Sequence, residues 1–599
     1  MLTNQEIAHT FGDIADAMEV LGENRFRVAA YRKAGDTLAA HPTSLAALHQ
    51  HGKLTDISGI GEASAGIIGE LLDSGHSAFV DALLTRVPPG LLEMLRVPDV
   101  GPKTAARLFH DEGITDVTAL RAAASEGRLR SIKGFGAKTE ARILAALDAL
   151  QTRTNRLRLV DALPAINELV AAISNLADVE QVAVAGSVRR GSATVSDLDV
   201  VLATNHAAAV RDQLRQLPQV AAHTDPNADE IQLTLHNGMA AAVLLVAPAE
   251  WGSALLRWTG SRAHVVALQA RAAGRGWTFD RHGFGTPNGL LRCADEAAVY
   301  AALDLPLIVP ELREGWGEVA AAERGALPEL VQVSDICADL HWHTTWSDGH
   351  SSVREMAEAG RALGYSHMSI ADHSAYLGVT GGLDGERLLQ QRAEIDALNA
   401  EYAAAGSAFR LLQGCEVDIL PDGSLALPDD VLVTLDFVIA SPHVSLRLPR
   451  AEATARLVRA INNPYVHLIG HPTGRLLNER DGADLDMAQI IAAAAETGTL
   501  LEVNAGPERL DLDASHIRAA LAAGVKISIN TDAHAARHVA GIDLGVLTAR
   551  RGGATNADVV NTWSLQNLKD HLASIRNRKT ELFNAATPES NDSADLIAS

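Results

Sequence analysis

Nine histidines and carboxylates in the second half of the chain share one context. His341 and His343 stand in ADLHWHTTWSDGH, with Asp348 five residues further on. His373 follows in ADHS, Glu416 in GCEVDIL, His443 in ASPHVS, His471 in IGHPTG, and Asp532 with His534 in NTDAH. Imidazole mixed with carboxylate is a donor set for Zn, Mn or Fe(II) rather than for Mg or Ca alone. Clustered ions of that kind lower the pKa of water and stabilise a leaving oxygen, which is the chemistry of phosphoester hydrolysis. A single histidine is more often a hydrogen-bonded polar residue than a ligand, and His350, His367 and His467, which fall outside the pattern, read that way. Nine positions that include H-x-H and D-x-H pairs point instead to a multinuclear centre.

A second set lies in GSVRRGSATVSDLDVV, residues 186–201. Asp197 and Asp199 are two apart on an apolar strand, so both project from one face. Ser187 and Arg190, just upstream, can set a hydroxyl and a guanidinium against a triphosphate. Nucleotidyl transfer by two divalent ions about 4 Å apart uses such a pair, together with a third carboxylate on a neighbouring strand. The strands that follow offer none, because no Asp or Glu occurs between Glu230 and Glu250.

The elements that must position these sets change character along the chain. A length of 599 residues exceeds one hydrophobic core, and about three to five domains are expected. The first 154 residues read as helices separated by glycine turns. Three turns share a pattern: ISGIGEASAGII (57–68), VPDVGPKTAARL (97–108) and IKGFGAKTEARI (132–143). Glycine permits the tight turn and the next helix N-terminus offers N–H groups to a phosphate, so the repeat predicts sequence-independent grip on a DNA backbone. The expected DNA contacts are Gly59, Gly61, Gly101, Lys103, Gly134, Gly136 and Lys138, with Arg32 and Lys33 beside Tyr31. Beyond residue 155 come β-branched runs (VEQVAVAG, DLDVVLAT, EIQLTLHN, MAAAVLLVA) that predict an α+β sheet. From Cys337 apolar strands alternate with helices, as in an α/β barrel, where the nine donors would ring the C-terminal mouth.

Composition sets outer limits. The net charge of −23 gives no support to nucleic-acid binding, but the first 160 residues carry 18 Lys+Arg against 19 Asp+Glu, so the acidic excess lies further along. Cys293, Cys337 and Cys415 are widely spaced, which fits a reducing cytoplasm and excludes a disulfide framework. Neither a membrane-length apolar run nor a signal-like N-terminus is present, so a cytoplasmic, nucleoid-associated protein is expected.

The order of hairpins, GSVRRGSATVSDLD and then WGSALLRWTGSRAH resembles a bacterial-type family X DNA polymerase, and the motifs from His341 onward resemble a PHP (polymerase and histidinol phosphatase) domain. The resemblance implies a multidomain chain: a helical helix-hairpin-helix N-terminal region, an α+β nucleotidyltransferase palm and thumb, and a C-terminal α/β (distorted β/α barrel) PHP domain. Expected boundaries are 1–85 for a lyase-like helical domain and 86–154 for a fingers-like region. The palm would follow at 155–247, the thumb at 248–316, a linker at 317–336, the PHP domain at 337–579 and a disordered tail at 580–599.

By the same resemblance, His341, His343, Glu416 and Asp532 would hold one ion, and Asp348, His373 and His534 a second. Glu416, His443 and His471 would hold a third, with Glu416 bridging and with Glu416 and Asp532 counted as catalytic. Three Mn ions (or Zn or Fe) are expected there, with residual Mg or Mn in the palm. Arg475 and Arg447 are candidates for a substrate phosphate. In the palm, Asp197 and Asp199 would be the catalytic carboxylates, and Ser187, Arg190, Trp258 and Gly260 would bind a dNTP. Three departures stand out: Ala242 replaces the family's third aspartate, Val265 a nucleotide-contacting asparagine, and Ile67 the lyase lysine. The expectation is a monomeric DNA repair enzyme acting as a Mn-dependent 3′–5′ exonuclease on gapped or nicked DNA and 3′ ends, with polymerase activity weak or lost. The rival expectations are an active gap-filling polymerase, a small-molecule phosphatase of the histidinol phosphatase kind, and a non-catalytic DNA-end scaffold.

Overall fold

The three glycine turns form three copies of one hydrogen-bonded unit. In each, a backbone N–H closes a turn three residues back: Ile60 onto Ile57, Val100 onto Val97, Phe135 onto Ile132. A helix then starts with a glycine carbonyl as its first acceptor, Gly61 for Ala65, Gly101 for Ala105 and Gly136 for Glu140. These helices are α1 (Glu62–Ser74), α2 (Pro102–Glu112) and α3 (Ala137–Thr154). Ile57, Ile60, Val97, Val100 and Ile132 are buried in one core, which leaves Gly61, Gly101 and Gly136 exposed with the helix starts. The computed structural model describes residues 4–586 apart from 40–44, 58, 88, 96, 98–99, 133–134, 155 and 379. The chain divides into two units: Met1–Asn155 with Leu377–Gly381, and the remainder.

The second unit begins with a five-stranded sheet. Its strands are β1 (Gln181–Val184), β2 (Leu198–Ala203), β3 (Val220–Asn227), β4 (Glu230–Leu235) and β5 (Ala240–Val246), in spatial order β1-β2-β5-β4-β3. Pairing is antiparallel except between β2 and β5. Strand alternation sends Leu198, Val200 and Leu202 into a core with Leu159, Ile166 and Leu169 of one covering helix. Asp197 and Asp199 are left on the opposite face. Helix α4 (Trp251–Thr259) and a small antiparallel sheet (Thr278–Asp280, Gly283–Thr286, Gly289–Leu291) follow. The connector at 317–336 holds a six-residue helix, Glu318–Glu323, and a 3-10 turn, Val333–Asp335, and is no free linker: buried Glu318 meets the His264 imidazole at 2.6 Å.

The remainder is a parallel barrel of seven strands in chain order: β6 (Ala338–Trp342), β7 (His367–Ile370), β8 (Arg410–Asp418), β9 (Phe437–Ser441), β10 (Leu468–Ile469), β11 (Leu500–Asn504) and β12 (Ile527–Asn530). A bridge from Trp342 to Ala533 and the His343 N–H donated to the Ala533 carbonyl nearly close it. Every residue of β7, β9, β11 and β12 is buried, as expected for strands covered on both faces. Helix α5 (Ile542–Arg551) leaves the β12 end, and α6 (Leu565–Ala586) closes the opposite end with Leu568, Leu572 and Ile575. The segment expected as a tail from residue 580 is helical as far as Ala586. Lys579 is buried on α6 and donates to the Asn463 and Val466 carbonyls, which anchors the helix through Ala586. Residues 587–599 lie outside the described residues.

Candidate metal centre and palm pocket

Seven of the nine predicted donors follow strand ends, and His341 and Glu416 lie inside β6 and β8 near their ends. The structure brings all nine together. Glu416 is the hub: one carboxylate oxygen is 3.1 Å from His443 Nε2 and 3.0 Å from His471 Nε2. The other is 2.9 Å from His373 Nδ1, 3.5 Å from His341 Nε2 and 3.6 Å from His343 Nε2. Asp532 lies 3.1 Å from His343 and 3.7 Å from His341, while Asp348 lies 3.5 Å from both His373 and His534. Donor atoms within 4.8 Å of one another form three groups among the described residues: His343–Asp348–His373–His534, His341–His343–Asp532 and His373–Glu416–His443. His343 thus falls in two groups and His373 in two, a sharing that chain order does not reveal.

Divalent ions fit this site. His341 Nε2, both ring nitrogens of His343 and His373 Nδ1 are buried without a hydrogen bond although carboxylate oxygens surround them. Atoms that converge without being aligned for hydrogen bonding are placed to share a cation. Asp532 and His471 also hold positive φ, 54° and 24°, a strained backbone for residues other than glycine. The local field is strong. Burial opposes charge on His534, but the Asp348 and Asp532 carboxylates outweigh it and push its pKa up to about 9. Burial with His534 and His373 alongside pushes His343 down to about 4. Burial alone favours neutral Glu416 and Asp532, yet the surrounding histidines hold both carboxyls well below their ordinary range.

His367 and His467 sit at strand starts, at the far end of the barrel. His467 stacks on Phe437, and burial drops its pKa to about 3. Arg475 donates to the Arg509 and Leu510 carbonyls, so it clasps a loop rather than facing the donors, and Arg447 is exposed. Three contributors escaped the sequence reading. Glu502 accepts from His341 Nδ1 at 2.8 Å, Asp418 accepts from His443 Nδ1 at 2.8 Å, and Arg509 Nε lies 3.8 Å from Asp532. Asp418 is two residues from Glu416 on β8, a same-face signal that was available. Glu502 and Arg509 carried none.

A second cavity, of about 600 Å³, opens on the palm and is lined by Ser187, Arg190, Asp197, Asp199, Trp258, Gly260 and Val265, among others. Gly186, at φ 58°, packs so closely that a Cβ there would stand 1.8 Å from Asp199 Oδ2. Burial, with Asp197 beside it, pushes the Asp199 carboxyl up to about 7. In the parallel β2–β5 register Ala242 is the partner of Asp199, and its other partner is Gln232. Arg190 is already engaged: it donates to the Thr259 carbonyl at 2.5 Å and to Glu314 at 3.1 Å. The same Glu314 oxygen accepts from Arg551 of α5 at 2.7 Å, and Gly191 packs against Leu547 of that helix.

In the first unit, Lys33, Lys103 and Lys138 are exposed, as are Gly59, Gly61, Gly101 and Gly136. Arg32 pairs with Asp16 and Glu19, at 3.0 and 2.8 Å. Gly134 lies outside the described residues. Ile67 is buried in α1, where no lysine occurs.

Comparison with known proteins assigns the parts. Residues 2–77 match a helix-hairpin-helix domain and 91–149 a SAM-like helix-hairpin-helix tandem. Residues 254–314 match a DNA polymerase beta thumb, and 339–506 a PHP domain. A DNA polymerase/3′-5′ exonuclease PolX of Bacillus subtilis is 38% identical over 95% of this chain and 99% of its own. A probable phosphatase of Thermoanaerobacter is 29% identical over 39% of this chain and 93% of its own. Another, of Acetivibrio thermocellus, is 31% identical over 28% of this chain and 64% of its own. Among the described residues no helix is long and apolar enough to cross a membrane.

Proposed function

The chain belongs to the family X DNA polymerases that carry a C-terminal PHP domain, and from that premise we propose that its working centre is the PHP barrel, a Mn-dependent 3′–5′ exonuclease for DNA repair, with polymerisation weak or lost. One contrast carries the reading: nine donors converge at the barrel mouth, while Ala242 stands beside Asp199 where a third carboxylate is needed.

Three divalent ions held by the nine donors would supply Lewis acidity and a water of lowered pKa. The protein's own groups do the rest. Glu416, buried and in reach of five histidines, ties the donor groups together. Glu502 and Asp418 take the Nδ1 protons of His341 and His443 and leave each Nε2 facing the ions. Arg509, about one-fifth exposed beside Asp532, offers a guanidinium to a substrate phosphate.

The family and its helix-hairpin-helix domains imply DNA binding. The exposed helix starts at Gly61, Gly101 and Gly136, with Lys103 and Lys138, grip the backbone of gapped or nicked DNA. A monomer acting in the cytoplasm is part of the same reading. The palm pocket keeps Ser187, Asp197, Asp199, Trp258 and Gly260 for a dNTP, but Arg190 must leave Glu314 to join them.

Purified protein with Mn²⁺, assayed for primer extension and for 3′-end degradation beside Asp532→Ala and Asp197→Ala variants, tests the proposal. Degradation lost only in Asp532→Ala is the expected result. Robust extension abolished by Asp197→Ala would restore the gap-filling reading.

A further inference from the structure

The donors at the barrel mouth are not equally supported from behind. His341 Nδ1 rests 2.8 Å from Glu502, which is fully buried and also accepts from the Asn530 amide at 2.8 Å and the His471 N–H at 2.6 Å. His443 Nδ1 rests 2.8 Å from Asp418, equally buried and held by the Ser374 hydroxyl at 2.9 Å. A carboxylate behind an imidazole fixes the tautomer that presents Nε2, raises its basicity and adds negative charge close to the cation.

The group of Asp348, His373 and His534 has no such support. His534 Nδ1 is hydrogen-bonded to the backbone carbonyl of Asp532 at 2.8 Å, and the Asp532 carboxylate 3.8 Å away is itself a donor. The ring nitrogens of His373 face Asp348 and Glu416, which are themselves donors. Asp348 accepts a hydrogen bond from Ser347 at 3.3 Å. This group is also the wettest: the Asp348 and His534 side chains are 32% and 33% exposed, against 0% for His341 and His343 and 1% for Glu416. Water beside a charge weakens its attraction for a cation and opens an exit route.

We infer that the three ions are held unequally. Those served by His341 with Glu502 and by His443 with Asp418 are resident, and the one at Asp348–His373–His534 is exchangeable and taken up from solution as the enzyme works. Glu502 and Asp418 are positioning residues for the resident pair. The inference rests on the three-ion reading of the barrel, and the test below separates the two.

Full-length protein loaded with Mn²⁺ is desalted and its metal content measured. Free Mn²⁺ is then titrated back and followed by its electron paramagnetic resonance signal. The expected result is about two ions retained and a third returning at least about tenfold more weakly. Asp348→Asn keeps the retained ions and loses the returning one. Glu502→Gln and Asp418→Asn, each checked for fold by circular dichroism, weaken retention of one ion by about 10- to 100-fold. Three ions retained or lost together overturn the inference, as does retention unchanged in both Glu502→Gln and Asp418→Asn. Fewer than three ions at saturating Mn²⁺ overturns the three-ion reading as well.

Discussion

The palm and the barrel mouth both present carboxylates from strand alternation, and they differ in how many strands must cooperate. In the palm Asp199 on β2 has Ala242 of β5 as its neighbour, so the adjoining strand offers no acid at that position. In the barrel nearly every strand end contributes a donor, and Glu416 alone reaches five histidines. The lesson concerns redundancy. A site built on two neighbouring strands would depend on every residue, whereas a ring of strand ends would keep its ions close through shared ligands.

The sharpest way to break this comparison is to remove one acid from each side. Asp532→Ala is expected to lower 3′-end degradation by about a thousandfold or more, and Asp197→Ala by less than about twofold, both read on a labelled single strand with Mn²⁺. Comparable losses in the two variants would place the hydrolysis in the palm. Next in size, Arg509→Ala should cut kcat/KM for degradation by about a hundredfold with Mn²⁺ stoichiometry intact. If metal is lost with activity, the arginine serves the ions and not the phosphate.

Ala242→Asp repairs the palm by one residue and should raise primer extension at least about tenfold over the parent chain. An unchanged rate would show that Val265, or Arg190 held by Glu314, also limits the site. An effect of similar size for each unit comes from pH. Because the Asp348 and Asp532 carboxylates push the His534 pKa up to about 9, an ion that binds there displaces a proton at lower pH. Apparent Mn²⁺ affinity should therefore fall by up to about tenfold for each unit below 9, measured by titration between pH 9 and 7. Smallest of all, Lys103→Ala and Lys138→Ala should each weaken DNA binding a few-fold and reduce the salt slope by about one.

The donor ring was legible because the ligands fall in six short motifs, each at or near the end of an apolar strand, a local signal repeated along the barrel. The hairpins were legible because the spacing recurs three times. The parts that stayed hidden depend on neighbours far apart in the chain. Glu502 is an acid in the middle of an apolar strand, and only the fold sets it 2.8 Å from His341, 161 positions away. Arg475 looked free to meet a phosphate until the loop at 509–510 closed over it. The end of α6 was misplaced because the Lys579 side chain, polar in sequence, is buried against backbone carbonyls.

Glu314, which lies beyond the palm in the thumb segment, links the palm to the barrel. With its arginine partners on either side, and with Leu544 and Leu547 of α5 packed into the palm's core, the sheet acts as an abutment for the helix that runs from the Asp532–His534 loop. Removing the palm would bare those leucines, and removing the thumb segment with it would strip Arg551 of Glu314, its counter-charge. The helix after the Asp532–His534 loop thus depends on this region for its packing, whatever the region itself catalyses.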